Sequence, residues 1–153
     1  MKTAANPGLI ILALACYIFA CSTPKTSEIT GPSVVGDYQY TGYDKKGGKV
    51  VEGRLSITSV ETKRIRSEEV TQLKGNWQLK KVGTQEHIGA QEGSGELIGS
   101  IDKGELDINL NPNISDANVY LHGTIEGRRF HGTWSAKGYA GAISEGTFEA
   151  IRK

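Results

Sequence analysis

The chain has 153 residues, with 18 Lys and Arg against 17 Asp and Glu and a formal net charge of +1. Hydrophobic residues make up 37% and charged residues 23%, a globular composition that excludes a disordered chain and a polytopic membrane protein. Both cysteines, Cys16 and Cys21, lie near the N-terminus, so the remainder holds no internal disulfide and no Cys-based metal site.

Residues 1–20 read as a signal peptide. Lys2 supplies one positive charge, and residues 8–20 (GLIILALACYIFA) form an apolar run of 13 residues. That is short of the roughly 20 needed to cross a bilayer but fits a signal-peptide core. Ile18-Phe19-Ala20-Cys21 resembles the lipobox of bacterial lipoproteins: Ile18 and Ala20 match, and Phe19 stands where a small residue is usual. The resemblance implies a diacylglycerol on Cys21, and Ser22 beside it implies the outer membrane of a bacterial cell envelope. Cys16, after Ala13-Leu14-Ala15, is the rival lipidation site, and ordinary secretion is the other alternative. Acyl chains worth about 0.8 kcal/mol per buried CH₂ would hold such a protein to the membrane.

Residues 21–33 are the lipidated cysteine and a polar stretch with two prolines, expected to be a flexible tether. Loss of the signal removes Lys2 and no acid, so 18 basic residues become 17, against 17 acidic ones. A neutral domain has no long-range field to steer a nucleic acid to it.

Residues 34–153 form the single domain. No segment of ten or more residues carries a 3.6-residue apolar period; period-2 alternation broken by glycine-bearing turns recurs instead. The expected strands are 36–45, 50–60, 70–82, 94–102, 105–111, 117–126, 129–136 and 143–152, with the charged 61–69 as strand ends around a turn. Eight short strands at this spacing predict an all-β fold, an eight-stranded antiparallel up-and-down barrel. The chain has 20 glycines, about 13% against a usual 7%. An apolar-x-Gly-x-apolar pattern recurs at Val51-Gly53-Leu55, Leu73-Gly75-Trp77, Leu97-Gly99-Ile101, Leu121-Gly123-Ile125 and Phe130-Gly132-Trp134, with a partial copy at Gly146-Thr147-Phe148. Each glycine shares the parity of its apolar neighbours and faces inward with them. Inward glycines permit the coiling of a closed barrel and are expected to keep interior volume free. Opposing inward residues puts Tyr40 across from Leu55, Ile101 across from Leu106 and Ile125 across from Phe130. The turns then centre on Gly47-Gly48, Lys103-Gly104 and Gly127-Arg128.

Gly36-Asp37-Tyr38 opening the first strand, with Gly132-Thr133-Trp134 and Gly146-Thr147-Phe148 closing the meander, resembles the calycin-type barrels, the lipocalins and avidins. The lipocalin pattern has Gly-x-Trp where this chain has Gly-x-Tyr. The resemblance implies the architecture and assigns no ligand residue.

Chemistry is sparse. His122 and His131 fall diagonally on the outer face of one hairpin, but no third ligand follows at metal-site spacing. His87 sits in the loop 83–93 with Glu86 and Glu92. Glu68-Glu69 point to opposite faces of a strand, Gly93-Ser94-Gly95 lacks the Lys-Ser/Thr of a phosphate loop, and no Gly-x-Ser-x-Gly occurs. No enzyme, metal or cofactor is expected. Tyr38, Tyr40, Trp77 and Trp134 are the candidate lining of an apolar pocket opening at loops 83–93, 112–116 and 137–142. Ile88, Ile114 and Tyr139 in those loops are expected to be exposed. The expected function is a lipid-anchored, non-enzymatic barrel binding a small apolar ligand. The alternative is a protein-interaction, inhibitor-like or structural lipoprotein with a filled core.

Overall fold

The computed structural model describes residues 34–65, 68–84, 88–139 and 141–153; Cys16, Cys21 and His87 lie outside them. Alternating apolar and polar residues leave each strand with one face to bury, and closing the sheet buries all those faces together. The strands are β1 (Gly36–Asp44), β2 (Lys49–Ile65), β3 (Glu68–Lys81), β4 (Gly93–Asp102), β5 (Glu105–Asn109), β6 (Asn118–Glu126), β7 (Arg129–Gly138) and β8 (Gly141–Arg152). Each pairs antiparallel with the next, and β8 pairs with β1 to close an eight-stranded up-and-down barrel. The ladder and its core are complete within residues 34–153.

Two of the three expected registers are found. Ile101 faces Leu106 across Lys103 (φ 49°) and Gly104 (φ 90°), and Ile125 faces Phe130 across Gly127 (φ 61°). Positive φ at these positions matches the twist of a tight hairpin. The first hairpin differs. Leu55 faces Tyr38, Tyr40 faces Gly53, and the register shifts at Gly42/Tyr43. Asp44 accounts for the longer turn: its carboxylate accepts the backbone N–H of Lys46 and of Gly48, each at 2.8 Å. This side-chain-closed turn spends four residues where two were expected.

The inward glycines also differ in what they do. A Cβ on Gly75 would overlap the Ser56 carbonyl oxygen, and one on Gly146 would overlap that of Tyr43. The neighbouring strand's backbone therefore takes the room that a side chain would fill. Glycine lets the sheet coil tightly; it does not keep interior volume free.

The four odd connections share one end of the barrel, here the mouth. The even connections and both ends of the described barrel chain share the other, the base. The base is closed by Val34, which packs against the core and accepts the Tyr38 hydroxyl at 2.7 Å. Arg152 donates to the Val35 carbonyl at 2.6 Å, and Lys153 N–H to that of Asp37 at 3.0 Å.

Candidate functional site

Period-2 parity carries Tyr38, Tyr40, Trp77 and Trp134 into the barrel, so all four expected lining residues are brought together inside it. Tyr40 and Trp134 are 0% exposed, which leaves no space for a water molecule beside either ring. Tyr38 stacks on Phe130 with ring centroids 4.3 Å apart, and Tyr40 on Phe148 at 5.8 Å.

Their polar atoms are also taken. Buried aromatic N–H and O–H groups need partners. The Trp77 indole N–H donates to the Leu110 carbonyl, and that of Trp134 to the Tyr43 carbonyl at 2.8 Å. The Tyr40 hydroxyl donates to Gln91 Oε1 at 3.1 Å, and Gln91 Nε2 donates to the Ile88 carbonyl at 2.6 Å. Burial pushes the Tyr40 phenol far above its ordinary value. It raises that of Tyr38 as well, partly offset by the positive charge of Arg152.

Gln91 was not legible as a site residue. It is a polar side chain at 0% exposure, and Ile88, expected to be exposed in a mouth loop, is only 4% exposed. Together they seat residues 88–91 in the mouth. Gly89 (φ 66°) lies so close to Ala136 that a Cβ would overlap the alanine methyl. Asn111 Nδ2 holds the segment from outside by donating to the Ala90 carbonyl at 2.9 Å. The one clue in the sequence is an apolar residue followed by glycine in an otherwise polar loop. Tyr139 and Ile114 are exposed as expected, Ile143 joins them, and Tyr139 is fully exposed.

On the outer wall His122 faces Thr133 and Thr124 faces His131, the diagonal placement expected. Their partners differ: His122 Nδ1 lies 2.8 Å from Asp107 Oδ1, whereas His131 Nε2 is 3.9 Å from Glu126 Oε1. The Asp107 hydrogen bond, then its charge, raises the His122 pKa. Among the described residues no three His, Cys, Asp or Glu side chains converge on a metal position. Glu69 lies 3.5 Å from Arg64 Nη2, and Ser94 opens no phosphate loop but stands on β4 opposite Gln78. The largest depression described is an open one of about 600 Å³ outside the barrel. It is lined by Asp44, Lys45, Lys46, Thr84, Ile143, Ser144 and Glu145, and the Lys45–Glu145 ion pair stands within it.

No family model, no curated protein and no solved structure matches this chain.

Proposed function

We propose that this is a lipid-anchored lipoprotein of the bacterial envelope, bound to the outer membrane through Cys21. Its calycin-like barrel is non-enzymatic, has a filled core, and acts on a protein partner through its outer surface. The observation that carries the filled-core reading is the seal at the mouth, where fully buried Gln91 ties the Tyr40 hydroxyl to the Ile88 carbonyl. A small apolar ligand gains affinity by burying its surface in a preformed cleft, and here side chains already occupy that volume. The mouth loops instead turn Ile114, Tyr139 and Ile143 outward, a choice of residues that suits contact with another protein. The anchor rests on Ile18-Phe19-Ala20-Cys21 after a 13-residue apolar run.

Two experiments test the two halves. Cells expressing the chain and given labelled palmitate should mark it, and Cys21→Ser should abolish the mark; a label that survives sinks the anchor site. Trp77 and Trp134 are the chain's two tryptophans and both are buried, so a brominated fatty acid should leave their fluorescence unchanged. Saturable quenching would instead place the ligand inside the barrel.

A further inference from the structure

The barrel wall is not flush at its base. β1 begins at Gly36, opposite Ile57, while β2 continues to Ile65. Among the described residues, the stretch 58–65 of β2 therefore has β3 on one side and no strand on the other. Eight residues at about 3.3 Å each give a free edge of roughly 26 Å. The chain before β1 turns away from this edge, because Val34 packs into the base and Arg152 holds the Val35 carbonyl.

A free edge offers unpaired N–H and C=O groups to any extended chain, and proteins restrict such pairing with charge. Val60 packs inward against the core, so Glu61 and Lys63 share the opposite, outer face, their side chains 3.2 Å apart. Their order makes the edge selective for itself. In an antiparallel pair, residues that aim their backbone groups at the shared edge oppose one another, and every second residue does so. A strand meeting its own copy about a two-fold axis can thus slip only in steps that keep this parity. With Thr62 opposite Thr62 of the second copy, Glu61 faces Lys63 and Lys63 faces Glu61. One permitted step to one side opposes Glu61 with Glu61; one step to the other opposes Lys63 with Lys63. Like charges directly opposite are destabilising, so one register is favoured over its neighbours.

We infer that the 58–65 edge of β2 pairs antiparallel with the same edge of a second copy of this chain, with Thr62 on the two-fold axis. This gives a self-complementary contact of the kind two-fold dimers use. Seven paired residues per copy bury less than the roughly 1,200 Å² of a stable interface, so the pair is short-lived in dilute solution. Confinement on a membrane, if the anchor proposed above is present, strengthens it by raising the effective concentration; the pairing itself does not depend on that anchor.

Thr62→Cys reads the pairing by trapping it. Opposed antiparallel residues stand about 4.5–5.5 Å apart at Cα, within disulfide reach, and the chain from Ser22 onward contains no other cysteine. Under mild oxidation, the 22–153 chain with Thr62→Cys should form a covalent dimer about tenfold faster than one with Thr147→Cys, an exposed residue on the wall at β8. Adding Glu61→Lys should bring the rate down to that of the Thr147→Cys control, and adding Lys63→Glu to that pair should restore it. Circular dichroism checks that each variant folds. Equal rates for Thr62→Cys and Thr147→Cys would overturn the proposal, as would a Glu61→Lys rate that the second charge change leaves unaltered. Fast trapping that appears only when residues 22–33 are deleted would show that the chain's own tether covers the edge, and would overturn it too.

Discussion

Replacing Tyr40 with Phe removes a single oxygen atom at the barrel mouth and keeps the ring that stacks on Phe148. What it leaves behind is Gln91 Oε1, fully buried and deprived of the hydroxyl that lay 3.1 Å away. A buried acceptor without a partner costs about 1–3 kcal/mol. For a domain of about 120 residues each kcal/mol moves the thermal midpoint by roughly 3–5 °C, so Tyr40→Phe should unfold roughly 5–10 °C lower. Gln91→Leu strands two groups, the Tyr40 hydroxyl and the Ile88 carbonyl, and should cost at least as much. The double variant strands the Ile88 carbonyl alone, so its loss should fall short of the sum of the single losses by about 1 kcal/mol or more. Urea unfolding of the four proteins, followed by circular dichroism, measures this. A Tyr40→Phe midpoint within about 1 °C of the parent, with losses that simply add, would refute the seal.

Three other outcomes follow from the same geometry. Gly75→Ala forces a methyl group against the Ser56 carbonyl, whose carbon would lie 3.0 Å away; it should destabilise by about 1–3 kcal/mol in urea, while Lys74→Ala on the exposed side should change little. Trp134→Phe deletes an indole that is 0% exposed and leaves the Tyr43 carbonyl unpaired, for a loss of about 2–4 kcal/mol on the same scale. The Asp107 hydrogen bond raises the His122 pKa in the folded protein. Stability from this pair is therefore complete below the unfolded value near 6.5 and fades as pH rises through the higher folded one. By NMR, Asp107→Asn should bring the His122 titration down toward the ordinary histidine value, and an unmoved titration would discard the pair.

The strands were legible because each apolar residue of Leu97, Ile101, Leu121 and Ile125 repeats at a spacing that only a pleated strand turns to one side. Glycine in the same phase marked where the wall coils. The register of β1 on β2 was less legible, since it hangs on a side chain: Asp44 caps a four-residue turn that resembles the two-residue glycine turn in composition. The meaning of the inward glycines was half legible. Parity gives their direction, but only neighbouring carbonyls, such as that of Ser56 beside Gly75, decide whether the space is empty or taken. The four interior aromatics could be named from their phase, and the hydrogen bonds that occupy them could not, because Gln91 and Ile88 are brought in by a loop that follows no period. The free edge of β2 has the same origin, since how far β2 overshoots β1 depends on where Val34 and Val35 tuck under the base.

The filled barrel is tested most directly by native mass spectrometry of the chain isolated from cells expressing it. The seal formed by Tyr40, Gln91 and Ile88 predicts that the spectrum holds the polypeptide and its own N-terminal lipid with no other small molecule. A further stoichiometric apolar molecule, retained by the parent and lost on substituting Tyr40 or Trp134, would contradict it.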